Sequence, residues 1–348
     1  MIEKRLFEAF KKDIQQIKID NFENLDIDIN DAESIFSAIV LEQLTNQERL
    51  ELLNKLKEED RYFYALASIY LDFLSLQETG EYPPKLWQKV ERAGKMRNNG
   101  KHHTMFYALR AKIKEYILRK SGGTYNEFAS VAHDYEVLYS MTHEQMYGEK
   151  ALSFYVEALE PKKASRLVYS LLKNNKTFSY QFYFDAVYTL STIGDYEKVE
   201  SLLSHAQKLM PTKMYAKLLL TYYTKKGELT DEEFSLLIKN YAYYVEDPND
   251  IEVIGEMLMQ RKMYKEAANQ FARAYRSYKV YSTEENINKF FTSKAFARMV
   301  EAILLSGDRE RASKVIKDVI NSNEELNLGL LDEIINKYEL RIDLSNGK

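Results

Sequence analysis

The sequence predicts an all-α protein built from stacked helix pairs, and three observations carry that expectation. Only 5 Pro and 12 Gly occur in 348 residues, which leaves long stretches free of helix breakers. Apolar residues return every three or four positions, as at Ile2, Leu6, Phe7, Phe10, Ile14 and Ile17. The stretch Tyr180–Pro211 reads as one helix, a turn at Gly194–Asp195 and a second helix ended by Pro211, and its pattern recurs along the chain.

Residues 1–78 read as an N-terminal helical region. After the helix at 2–18, the acidic, Asn-rich run 21–31 interrupts, and Asp31 can cap the next helix ahead of Ser34 and Ile35. Thr45 and Glu48 have capping-box spacing in front of Leu50, Leu52, Leu53 and Leu56. A break at Glu58–Asp60 precedes an apolar helix from Tyr62 to Leu76, and Gly80 with Pro83–Pro84 marks the clearest boundary. Residues 81–120 form a basic helical segment that joins to the array, divided by Gly94 and Asn98–Gly100. It holds 11 Lys/Arg against 3 Glu, a charge of +8 in a chain whose net charge is −4. Residues 121–325 carry degenerate repeats. Residues 326–348 hold a capping helix (326–340) and a tail.

The repeats are phased. With Tyr180 as position 1 of a 34-residue unit, Tyr183 falls at 4, Gly194 at 15, Tyr196 at 17, Val199 at 20, Leu203 at 24, Ala206 at 27 and Pro211 at 32. These are the small, aromatic and proline positions of a tetratricopeptide unit. Further units start at Met146, Met214 and Pro248, so position 17 falls at 162, 196, 230 and 264. In the Pro248 unit Gly255, Tyr264, Ala267, Phe271 and Ala274 occupy positions 8, 17, 20, 24 and 27. A last unit from Ser293 places Gly307–Asp308 at the turn, after an insertion of about 11 residues near 281–291. Gly123–Thr124–Tyr125 is the turn of a degenerate unit in which Phe128 takes a small-residue position.

Composition limits the function. The chain has 45% hydrophobic and 29% charged residues, the balance of a folded domain and not a disordered one. It has no Cys, which excludes a disulfide framework and thiolate chemistry and fits a cytoplasmic setting. No run approaches the roughly 18 apolar residues of a membrane span, and the amphipathic start has no signal-peptide core. His102–His103 are adjacent and diverge on a helix, His133 and His143 are ten residues apart, and Gly122–Gly123 follows a helix and lacks a P-loop lysine. Gly122–Gly123 therefore reads as a helix C-cap. Met257, Met259 and Met263 read as core filler. The pairs Glu58–Glu59 and Glu232–Glu233 read as solvated faces. The expectation is a protein that is not an enzyme and needs no cofactor or metal.

A repeat pair cannot bury its own apolar face, so pairs stack, and the first helices line an inner surface. Inward positions supply peptide-binding candidates: Tyr147, Lys150, Phe154, Gln181, Phe184, Tyr188, Tyr215, Tyr222, Asn249, Glu252, Glu256, Lys294 and Glu301. The amides could clamp a peptide backbone and the aromatics could form apolar pockets, or the tyrosines could be interhelical packing. Lys85, Lys89, Arg92, Lys95 and Arg97 are target-binding candidates, with ion pairing along a solvated helix as the alternative.

The repeats, with PTKMYAKLLLTYYTKKGELTDEEF (211–234) and YGEKALSFYVEALEPKKASRLVYSLL (147–172), resemble tetratricopeptide-repeat peptide-pheromone receptors of Gram-positive bacteria and their phages, the Rap-type and arbitrium receptors. The resemblance covers residues 121–340. It implies an intracellular quorum-sensing regulator whose superhelix closes on a short peptide and so controls a protein or DNA target. The chain departs from the transcription-factor members, because neither 1–78 nor 85–120 shows a persuasive helix-turn-helix. Three readings follow: a peptide-controlled regulator, a constitutive scaffold with no small ligand, and a DNA-binding regulator acting through 85–120. A homodimer through the helix at 326–340 is also expected.

Overall fold

The computed structural model describes residues 31–41, 46–96, 103–281, 285–322, 326 and 329–340. The expected helix at 2–18, the run 21–30, Thr45, Asn98–Gly100 and the tail beyond 340 lie outside the described residues. The chain is all-α and 85% helical, with 17 α-helices and no strand among the described residues. It divides into two compact units, residues 1–185 and 186–348.

In the first unit, α1 (Ala32–Leu41), α2 (Asn46–Glu59) and α3 (Arg61–Thr79) pack on one another. Asp31 caps α1 by accepting from the Ser34 amide at 3.0 Å. The break before α3 narrows to one residue, because Asp60 accepts from the Tyr62 and Phe63 amides at 2.7 and 3.0 Å. This satisfies two of the amides a helix start leaves unpaired. Gly80 ends α3 in the left-handed region (φ 74). Then α4 (Leu86–Lys95) and α5 (His103–Ser121) both return to pack on α3. Gly122 takes φ 70 and donates to the Leu118 carbonyl, closing α5 as its sequence predicts. From there α6 (Tyr125–Thr142), α7 (Gln145–Glu157) and α8 (Pro161–Asn174) pack in sequence. A full capping box between Thr124 and Glu127 starts α6. The next helix, α9 (Tyr180–Ile193), crosses from the first unit into the second.

The second unit continues with α10 (Tyr196–Leu209), α11 (Thr212–Lys226), α12 (Asp231–Leu236), α13 (Pro248–Gln260), α14 (Tyr264–Tyr281), α15 (Glu285–Leu305), α16 (Arg309–Asn321) and α17 (Gly329–Lys337). The turn into α10 has Gly194 at φ 81 and Asp195 accepting from the Lys198 amide. The turn into α16 repeats it, with Gly307 at φ 87 and Asp308 accepting from the Arg311 amide at 3.0 Å. Gly255 on α13 shows why a small residue sits there. A Cβ would fall 2.7 Å from the Phe271 ring on α14, and Phe271 is itself fully buried. The weak unit at 214 has a physical form. Its second helix is only six residues long and runs on into a π-helical turn (Leu237–Tyr241) and a 3-10 turn (Ala242–Tyr244). The expected insertion lengthens α14 and α15 to 18 and 21 residues, against 13 to 15 for the regular helices. Finally, α17 lays Leu331 and Ile334 inward and packs on α15, so its apolar face is used within the chain.

Candidate functional site

In the first unit the polar groups of α5, α6 and α7 form a ladder. Arg110, Lys114, Glu115 and Arg119 recur along one face of α5. Arg110 holds Asp134 of α6 through two bonds of 2.9 and 2.6 Å, and Lys114 reaches the same carboxylate at 2.8 Å. Asp134 is only 1% exposed, and both of these cations contact it there. Burial lowers the Lys114 pKa, and its bond to Asp134 opposes that. Glu115 accepts from Tyr135 and, at 2.8 Å, from Lys150 of α7. Arg119 forks onto Glu157 of α7 at 2.9 and 2.8 Å.

Those contacts place the candidates of this unit. Tyr147 and Phe154 are buried, each stacked on Tyr135 with ring centroids 6.0 and 5.9 Å away, so they seal the α6–α7 interface and do not line an open face. Lys150 is half-exposed above the Tyr135 ring. Gln181 is exposed at the start of α9, but its amide donates to Asp185 at 2.8 Å. Phe184 is half-buried.

Of the basic candidates, Lys89 pairs with Asp72 at 2.6 Å and bonds Ser68 at 2.9 Å. Lys85, the residue before α4, and Arg92 and Lys95 on α4 are exposed with no ion pair among the described residues, beside the part-exposed Trp87. Arg97 lies outside the described residues. Part of the segment's +8 charge is absorbed: Arg110, Lys114 and Arg119 join Lys89 in ion pairs to Asp134, Glu157 and Asp72.

The second unit has its own ladder, built on α13, α15 and α17. Asn249 accepts from Tyr278 at 2.8 Å, and Lys294 of α15 meets Glu252 of α13 at 3.0 Å. Arg298 of α15 forks onto Glu256 and also bonds Glu301. Glu301 further accepts from Lys337 of α17 at 2.8 Å and from Tyr338 at 3.1 Å. These donors hold the Glu301 carboxyl below its ordinary pKa, against the burial that raises it. The candidates Asn249, Glu252, Glu256, Lys294 and Glu301 therefore lie along the same interhelical contact, in three separate sets: Asn249 with Tyr278, Lys294 with Glu252, and Arg298 with Glu256 and Glu301. Glu252 and Glu301 are buried within it, whereas Asn249 is exposed and Glu256 and Lys294 are half-exposed. Tyr215 and Tyr222 are buried, against Tyr241 and against Tyr196 and Tyr223. Tyr188 keeps an open edge, with the Lys225 ammonium 4.3 Å from its ring centre.

Sequence reading missed three local features. Arg298, the hub of the second ladder, has partners 42 residues away. Arg273 donates to the carbonyls of Ala242, Tyr243 and Val245, and so pins the 3-10 turn that exposes Tyr243. Glu233 is no idle surface acid: it completes a capping box with Thr230 and pairs with Lys226 at 2.6 Å. The Thr230-x-x-Glu233 spacing carried that signal.

No group of three or more His, Cys, Asp or Glu able to hold a metal ion occurs among the described residues, and no described helix is long and apolar enough to cross a membrane. His133 is exposed, and His143 is a C-cap at φ 56. No protein-family model and no curated protein matches the chain.

Proposed function

We propose that the chain is a regulatory binding protein whose tetratricopeptide-like helix pairs take a short peptide and thereby control a protein or DNA target. The observation that supports this reading is the rhythm of helix starts. First helices begin at 145, 180, 212 and 248, and second helices at 161, 196, 231 and 264. Within each unit, helix pairs repeated in this way present their first helices along one face. Lys150, Gln181 and Phe184 in the first unit, and, as a separate set, Tyr188, Asn249, Glu256 and Lys294 in the second, are exposed or half-exposed amide, aromatic and charged groups. Such a set matches the alternating backbone polarity and side chains of a peptide. The function is binding and not catalysis. Calorimetric titration with a library of short peptides tests it: saturable binding supports the reading. A folded protein that binds none, yet co-purifies with a stoichiometric partner protein, is instead a constitutive scaffold.

A second reading rests on α4. Lys85, Arg92 and Lys95 form an unpaired basic face beside Trp87, suited to an acidic partner or a phosphate backbone. If that face binds DNA, affinity falls steeply with salt and is lost when the three cations become Glu. Binding that survives the triple variant removes the reading.

A further inference from the structure

The first unit contains one carboxylate whose surroundings oppose its charge. Asp185, on α9, is 5% exposed. One of its oxygens accepts from the Gln181 amide at 2.8 Å. The other is buried with no hydrogen-bond partner. Across the contact lies the α7 face carrying Glu149, Ser153 and Glu157, spaced four residues apart and so aligned on one side of the helix.

The Ser153 hydroxyl lies near the carboxyl without a hydrogen bond to its second oxygen, and both charged neighbours are acids. Glu157 already has its cation in Arg119, held through two bonds. Glu149 is occupied by neutral donors, the Gln145 amide at 2.5 Å and the Ser179 backbone amide at 3.4 Å. Among the described residues no cation forms an ion pair with Asp185 itself. This contrasts with Asp134, equally buried in the same unit, which has two cations on it. Desolvation, reinforced by Glu157 and Glu149, pushes the Asp185 carboxyl up to about 6.

We infer that Asp185 is a proton-controlled latch: protonated, it seals the start of α9 against α7, and ionised, it loosens that contact. In the neutral form the bare oxygen needs no counter-charge, and the added O–H can donate to a neighbouring Glu carboxylate or to Ser153. In the ionised form the group faces two acids in a dry contact, and exposure to water is the available relief.

The sign follows from linkage. A carboxyl whose folded pKa is raised contributes stability that is fully present below its unfolded value, near 3.8, and lost as pH rises through about 6. The latch is therefore closed in mild acid and weakened at neutral pH.

Hydrogen exchange at the α9 amides of the full-length protein tests this, after correction for the intrinsic pH dependence of exchange. Between about pH 5 and about pH 7.5, protection over residues 182–186 falls by up to about tenfold in the wild type, the ratio set by the roughly one unit between pH 5 and a midpoint near 6. Asp185→Asn keeps shape and hydrogen bonding without the charge, so its protection stays level over the same range. Equal pH dependence in the two proteins overturns the proposal. Carboxyl-carbon NMR titration of Asp185 in the wild type gives an answer that needs no variant: a midpoint near 6 supports the latch, and one at or below about 4, the ordinary range of a solvated carboxylate, overturns it.

Discussion

Asp134→Asn isolates what the α5–α6 ladder contributes. The substitution keeps volume and removes the charge that Arg110 and Lys114 share. Breaking a buried pair from one side costs about 3–5 kcal/mol, because the partner is left charged and dry. The Arg110 and Lys114 side chains are 24% and 15% exposed, so water recovers part of that cost. The expected loss is about 2–4 kcal/mol. The assay is urea unfolding of the full chain followed by Trp87. It is the only tryptophan of the sequence, it belongs to the first unit, and its ring centre lies 5.9 Å from the Lys114 ammonium. The midpoint falls while the slope m stays constant. Adding Lys114→Met recovers part of the loss, because it removes one of the stranded cations. A loss below about 1 kcal/mol, the range of an exposed ion pair, would show that Asp134 is not a buried partner of these cations.

Three further outcomes follow from the repeat geometry. Gly255→Leu places a Cβ against the buried Phe271 ring and lowers stability by about 1–3 kcal/mol or more, read as a fall in the unfolding midpoint. Thr230→Ala removes the capping box before α12 and costs about 1 kcal/mol, with faster amide exchange in Asp231–Phe234. Ala206, fully buried on α10, and Tyr188, part-exposed on α9, separate scaffold from surface. Ala206→Leu lowers stability by about 1–3 kcal/mol, while Tyr188→Ala weakens peptide binding with a smaller effect on unfolding.

Local signals were legible wherever the deciding residues are close in sequence. Gly194–Asp195, Gly307–Asp308 and Gly122 announce their turns because left-handed backbone and an acidic N-cap are coded within a few residues. The repeat placed Gly255 at a small-residue position, whereas the ring it makes room for, Phe271 of the same unit, was not legible. The ladders were not, since Arg110 and Asp134 are 24 residues apart and Arg298 and Glu256 are 42 apart, and 49 basic and 53 acidic residues offer too many pairings. Assigning an inner face by position alone also misplaced the aromatics. Tyr147, Phe154, Tyr215 and Tyr222 have rings large enough to reach the neighbouring helix, where burial is worth more than exposure. What stayed outward was polar or amphipathic: Lys150, Gln181, Tyr188 and Asn249. Gln181 is also a support for Asp185, so replacing it perturbs α9 as well as any ligand.

Peptide capture by the first helices is the central property of the proposed regulator. Isothermal titration of the wild type and of Tyr188→Ala against the same short peptides, beside their unfolding curves, measures it. The expected result is saturable binding by the wild type, weakened by about tenfold or more in the variant, about 1.4 kcal/mol. No saturable binding by the folded wild type, or equal affinity in both proteins, would contradict it.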